Sequence, residues 1–125
     1  MASILVVEDN SANMRLAVLL LEKAGHHALC AADAECGVAL ARTARPDLIL
    51  MDIQLPGMDG LDATVLLKHD PATANIPVIA LTALAMKADH VRSLQAGCDA
   101  YIAKPLRYRQ LYDLIDSLLP PAGPA

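Results

Sequence analysis

Five short apolar runs set the strongest limit on how this chain can fold: Ile4 to Val7, His27 to Ala31, Leu48 to Met51, Val78 to Leu81 and Ala100 to Ala103. Their starts lie 23, 21, 30 and 22 residues apart. Apart from His27 and Tyr101 every residue in them is apolar, with no polar and apolar alternation. Successive side chains of a strand point to opposite faces, so a strand wetted on one face must alternate. An unbroken apolar run belongs to a strand covered on both faces, as in a parallel sheet. Parallel neighbours need a crossover of a dozen or more residues, and each gap is long enough for one helix.

The gaps carry helix signals. The first opens with Asn10 and Ser11 as N-cap candidates, sets Met14, Ala17, Val18 and Leu21 at helical spacing, and closes on Gly25 at C′. A second helix is expected over Ala34 to Ala44, stopped by Pro46. The third is expected over Leu61 to His69, after the Pro56-Gly57 and Asp59-Gly60 turn signals and before Pro71. The fourth spans Ala85 to Ala96 and ends at Gly97; the fifth spans Arg107 to Leu119 and buries Leu111, Leu114, Ile115 and Leu118. Five successive βα units predict an α/β fold, a doubly wound five-stranded parallel sheet flanked by five helices. The expected domain covers residues 1–119, with 120–125 as a Pro- and Gly-rich tail.

Composition narrows the function classes. Hydrophobic residues make up 55% of the 125-residue chain and charged residues 19%, which fills a core and argues against disorder. A net charge of -4 without a basic run weighs against a nucleic-acid or anionic-membrane surface. The longest apolar run, Leu16 to Leu21, falls far short of the ~18 residues that cross a bilayer. No secretory pattern precedes Glu8-Asp9, so the expected location is cytoplasmic. Cys30, Cys36 and Cys98 form no C-x-x-C pair and are expected as buried thiols; His26, His27, His69 and His90 show no ligand spacing.

Ligands of such sheets bind beyond the carboxyl ends of the strands, where the strand order reverses. Glu8 and Asp9 follow the first strand, Asp52 the third, Thr82 the fourth and Lys104 the fifth. Unit charges ~4 Å apart at an effective dielectric near 20 interact by about 4 kcal/mol, so three adjacent carboxylates need a cation. An all-oxygen set with open positions suits Mg²⁺. A metal, a lysine, a hydroxyl and an attacking carboxylate together make a site for phosphoryl transfer. Singly, each residue reads as a cap, a turn or a surface charge; their recurrence at one end of consecutive strands is what points to chemistry.

These motifs resemble the receiver domains of two-component response regulators. The likeness runs through Glu8-Asp9, Leu48-Ile-Leu-Met-Asp52-Ile-Gln-Leu-Pro56-Gly57-Met-Asp-Gly60, Pro77-Val-Ile-Ala-Leu-Thr82-Ala and Ala100-Tyr101-Ile-Ala-Lys104-Pro105. It is closest to DivK-type single-domain regulators and to receivers of hybrid histidine kinases. The resemblance implies the flavodoxin-like strand order 2-1-3-4-5, with Asp52 as phosphoacceptor from a phosphohistidine of a histidine kinase or histidine phosphotransfer protein. It implies Mg²⁺ held by Asp9, Asp52 and the Gln54 backbone carbonyl, with Glu8 reaching it through water. Thr82 and Lys104 would contact the phosphoryl oxygens, Tyr101 would be the switch residue, and the Lys104-Pro105 peptide would be cis. Such a domain is a signalling phosphoacceptor and not an enzyme, though it assists its own phosphorylation and dephosphorylation. A downstream protein would read the face of the fourth helix, fifth strand and fifth helix.

Competing readings fit less well. A haloacid-dehalogenase-type phosphatase needs an acid two residues past the nucleophile, where Gln54 stands. A flavodoxin-like electron carrier needs a Ser/Thr-rich phosphate loop where Glu8-Asp9 would repel the phosphate. An intact single-domain regulator and a receiver cut from a hybrid kinase or multidomain regulator both remain open. Tyr108 and Tyr112, with Leu119, either lie over the sheet edge or join Tyr101 and the fourth helix in a partner surface. Gln54 and Leu84 flank the expected phosphoryl position in the family pattern, and without a strong base there the expectation is slow self-dephosphorylation.

Overall fold

The computed structural model describes residues 2–82, 87–104 and 106–119, with 87–90 described by backbone alone. Its elements run β1 Ser3–Val7, α1 Ser11–Lys23, β2 His27–Ala31, α2 Ala34–Ala44, β3 Leu48–Asp52, α3 Gly60–His69, β4 Val78–Thr82, α4 Lys87–Ala96, β5 Ala100–Ala103 and α5 Tyr108–Leu118. All four strand pairings are parallel and the sheet order is β2-β1-β3-β4-β5, as expected.

The apolar runs are continuous because each strand is covered twice. Ile4, Val6, Leu48, Leu50, Ile79, Leu81 and Ile102 face Ala17 and Leu21 of α1 and Leu111 and Ile115 of α5. The alternate residues Leu5, Val7, Ile49, Met51, Val78 and Ala80 pack with Ala34, Val38 and Ala41 of α2 and Leu61, Ala63 and Leu67 of α3. Chain order and strand order disagree between β1 and β3, so the segments leaving these two strands turn to opposite faces of the sheet. A cleft opens there, above Glu8 and Asp52.

Caps set the helix ends. Asn10 accepts from the Asn13 N–H at 3.0 Å, Asp33 from the Cys36 N–H at 2.7 Å and Asp59 from the Asp62 N–H at 2.9 Å. Asp59-Gly60 is therefore a cap and first helical residue, not the turn expected from the dipeptide. Hydrogen bonds from the Cys36 backbone and thiol hold the Asp33 carboxyl below its ordinary 3.8. A depressed carboxyl contributes stability above its unfolded value and loses it as pH falls through the folded one. Asp33→Ala is thus expected to lower the melting temperature at neutral pH, with a gap to the parent that closes below about pH 3.8 in an acid titration of both proteins.

Other expectations need correcting. Cys98 is buried, but Cys30 and Cys36 are exposed, because Cys30 lies on the edge strand β2 and Cys36 on the outer side of the first turn of α2. Helix α5 buries Leu111 and Ile115 fully, while Leu114 and Leu118 are only half-buried.

Candidate functional site

Register builds the site. Val7, Met51, Ala80 and Tyr101 lie in one row across β1, β3, β4 and β5. Glu8 and Asp52 therefore leave their strands at the same level, side by side, with Thr82 ending β4 one residue beyond the partner of Asp52. The Lys104 N–H donates to the Thr82 carbonyl at 2.7 Å, which carries the lysine to the same edge.

There the Lys104 ammonium donates to Glu8 Oε1 at 2.7 Å and to Asp52 Oδ2 at 2.9 Å. Both carboxylates are nearly sealed, Glu8 at 3% and Asp52 at 2% exposure. Their second oxygens are also engaged, Asp52 Oδ1 by the Gln54 N–H at 2.9 Å and Glu8 Oε2 by the Asn10 N–H at 3.2 Å. Sequence reasoning missed these two backbone donors, since no side chain advertises them. Burial pulls the lysine down, but the hydrogen bonds and charges of Glu8 and Asp52 outweigh it and leave Lys104 above the ordinary lysine value.

Asp9 is exposed and completes the group: Glu8, Asp9 and Asp52 each offer an oxygen, all within 4.8 Å of one another. Three carboxylates against one ammonium leave a charge of about −2, which one divalent cation cancels. The hard, all-oxygen donor set and one solvent-facing ligand fit Mg²⁺, which keeps water in its shell. Thr82 is fully buried and Tyr101 half-buried. Leu84 and Pro105 lie outside the described residues, so the expectations about phosphoryl lifetime and the cis peptide do too.

Two residues play parts the sequence did not show. A Cβ on Gly60 would collide with the Asp52 carbonyl oxygen and stand 2.8 Å from the Asp52 carbonyl carbon and the Ile53 Cα. Only a glycine lets the first turn of α3 close on the backbone that presents Asp52. Gly60→Ala is expected to cost about 2–3 kcal/mol, because backbone cannot rotate away as a side chain does. At Gly57, where φ is +74 and the space is open, Ala should cost about 1 kcal/mol. Urea melts of the two variants check this; equal losses would remove Gly60 from the site's support. Tyr112, for its part, donates to the Leu20 carbonyl of α1 at 2.7 Å and packs in the α1–α5 layer, whereas Tyr101 packs in the opposite layer. The structure thus places Tyr108 and Tyr112, which meet edge-on at 6.0 Å, on the α1 side and not beside Tyr101.

The profile of the response regulator receiver domain matches residues 4–116. The polar-differentiation response regulator DivK of Brucella anthropi is 47% identical over 117 residues, 94% of this chain and 95% of its own. The DivK of Brucella ovis is 46% identical over the same shares. Among solved structures, the receiver domain of a sensor histidine kinase from Pseudomonas aeruginosa, with a magnesium ion coordinated in its active site cleft, matches at TM-score 0.88 and 36% identity, covering 94% of this chain and 96% of that one. The chemotaxis protein CheY4 of Vibrio cholerae shares the fold at TM-score 0.89 and 24% identity, covering 95% and 99%.

Proposed function

This chain belongs to the response regulator receiver domain family, and on that premise we propose that Asp52 is its phosphoacceptor, charged by a phosphohistidine of a histidine kinase or histidine phosphotransfer protein. As a receiver it serves two-component signalling. The observation that carries the residue assignment is the double contact of Lys104 with two sealed carboxylates at the strand ends.

In the transfer, an Asp52 carboxylate oxygen attacks phosphorus while the P–N bond breaks and its electron pair returns to the donor imidazole. Asp52 leaves the reaction as a neutral acyl oxygen, so Lys104 loses one of its two anionic partners and turns to a phosphoryl oxygen instead. The buried Thr82 hydroxyl is drawn to another. Glu8, Asp9, Asp52 and the Gln54 carbonyl would hold Mg²⁺, with Glu8 acting through water. Bound there, Mg²⁺ supplies the charge that lets a phosphoryl dianion approach an acidic pocket. The signal then follows a shift between pre-existing states as Tyr101 turns with Thr82, and is read by a downstream protein on the α4–β5–α5 face.

The domain covers residues 1–119 and works in the cytoplasm, where its donors present phosphohistidine. Among the described residues no helix is long and apolar enough to cross a membrane. The chain accepts and releases its own phosphoryl group and turns over no separate substrate. The test is incubation with a small acyl phosphate: a hydroxylamine-labile adduct should map to Asp52 by mass spectrometry and require Mg²⁺. An adduct elsewhere, or one formed equally well in chelator, would overturn the assignment.

A further inference from the structure

Glu8 is the first residue past β1, and the chain enters α1 only three residues later. Its N–H still pairs with the sheet, donating to the Ala31 carbonyl at 3.0 Å. Its side chain is held at both oxygens, Oε1 by the Lys104 ammonium at 2.7 Å and Oε2 by the Asn10 N–H at 3.2 Å. The second hold depends on how one exposed residue, Asn10, is turned. Each carboxylate oxygen keeps a further lone pair, so neither bond stops Glu8 from accepting from a metal-bound water.

Hydrogen bonds through its backbone and side chain fix that turn. The Asn10 N–H points at Glu8, its carbonyl accepts from the Met14 N–H at 2.9 Å, and its Oδ1 accepts from the Asn13 N–H at 3.0 Å. Its backbone is extended, with φ -85 and ψ 121, as an N-cap requires. The cap thus orients the donor. Because the bond from Asn10 to Glu8 spans Asp9, the same closed ring holds the backbone that presents Asp9, so two of the three clustered acids depend on one cap. The first turn of α1 has no acidic residue of its own, and Glu8 sets a carboxylate beside its positive end instead. Without the hold, Glu8 has another place to turn. A cavity of about 30 Å³, roughly two waters in size, borders Glu8, Asn13 and Lys104 and is otherwise walled by aliphatic side chains. Neither Asp9 nor Asp52 lines it, so a glutamate rotated into that space beside Lys104 leaves the acidic cluster.

We propose that Asn10 is a positioning residue for the metal: as N-cap of α1 it fixes Glu8 and Asp9 in the geometry that receives Mg²⁺. The inference rests on the Mg²⁺ reading of the site given above. Asn10 acts through the two acids before it, since its own side-chain oxygen is turned to α1 and not to the cluster. Losing one neutral side chain therefore weakens the metal without removing any ligand. The typical cost of a lost cap shifts the ordering of a first turn about fivefold. A site whose competent arrangement is populated only part of the time binds more weakly by that fraction, so metal affinity should fall by a similar factor.

Measurements on the whole chain, without and with metal, test this. In the metal-free protein, hydrogen-exchange protection of the residue-10 amide should fall about fivefold in Asn10→Ala and return to within about twofold of the parent in Asn10→Ser, which keeps a cap acceptor. With metal, the Mg²⁺ dissociation constant, read from the rise of melting temperature with Mg²⁺, should weaken about fivefold in Asn10→Ala and recover in Asn10→Ser. Asp33→Ala removes the cap of α2, on the other face of the sheet, and should melt lower yet bind Mg²⁺ within about twofold of the parent. General loosening of the fold would not produce that split. Residue-10 protection or Mg²⁺ affinity unchanged in Asn10→Ala, Asp33→Ala weakening the metal as much as Asn10→Ala, or Asn10→Ser without rescue would each overturn the inference alone. A parent whose melting ignores Mg²⁺ would overturn the metal reading itself, and the inference with it.

Discussion

Asp52→Asn is expected to lose the phosphoryl adduct entirely while leaving the metal-free fold at least as stable as the parent. The amide keeps the shape of the carboxyl, and its oxygen can still accept from Lys104 or from the Gln54 N–H, which lie at 2.9 Å from the two carboxyl oxygens. What disappears is one negative charge from a cluster carrying about −2. Neighbouring charges at such separations repel by up to about 4 kcal/mol at an effective dielectric near 20, so the change relieves more than it removes. The cost appears only with metal. Mg²⁺ at a hundred times its dissociation constant stabilises the parent by about 2.7 kcal/mol, and the variant should keep little of that. Melting with and without Mg²⁺, beside mass spectrometry after acyl phosphate, reads both effects. An adduct retained on the variant sinks the phosphoacceptor assignment; a large loss of metal-free stability sinks the account of charge crowding.

Lys104→Met should behave in the opposite sense. Methionine fills much of the lysine stem's space but leaves Glu8 and Asp52, at 3% and 2% exposure, without their shared cation. Breaking a buried pair from one side costs about 3–5 kcal/mol, since the abandoned charge stays buried. The cluster then carries about −3, so Mg²⁺ should bind at least as tightly as in the parent and recover part of the loss. Phosphorylation should slow and its conformational consequence fail, because no ammonium remains to follow the phosphoryl group. The pH dependence has a definite sign. Lys104 sits above its ordinary 10.5, so its contribution is fully present below that value and fades as pH rises through the folded one. The stability gap between parent and variant should hold from neutral pH to about 10 and narrow above it. Equal melting of the two proteins in chelator would remove the ion pairs from the account of this site.

How far the sequence could be read varied with what each residue answers to. The apolar runs located all five strands, because burial on both faces is written into composition alone. The carboxyl-end residues Glu8, Asp9, Asp52 and Lys104 were legible because every strand ends within one residue of the end of its apolar run, and in a parallel sheet those ends share one edge. Cys30 and Cys36 were misread as buried because a thiol follows its neighbours: an edge strand and an outer helical turn left them in water. For Tyr108 and Tyr112 the sequence left two positions open, over the sheet edge or beside Tyr101, for a related reason. The width of an apolar arc on α5 tells that an edge is sticky, but not whether α1 or α4 stands beside it.

What the sequence determined by itself was periodic or categorical: strand and helix lengths, the cap at Asn10, and the presence of an acidic set with a lysine. Those properties depend on local spacing and residue type, and they survive without knowledge of any distant neighbour. Only the tertiary structure decided which oxygen meets which donor. That Lys104 bridges Glu8 and Asp52, that the Gln54 N–H holds Asp52, and that Gly60 must lack a side chain because the Asp52 carbonyl occupies its place, all depend on contacts between separate βα units. Such contacts are fixed to a few tenths of an ångström by close packing around the sheet, a three-dimensional constraint that no one-dimensional period records.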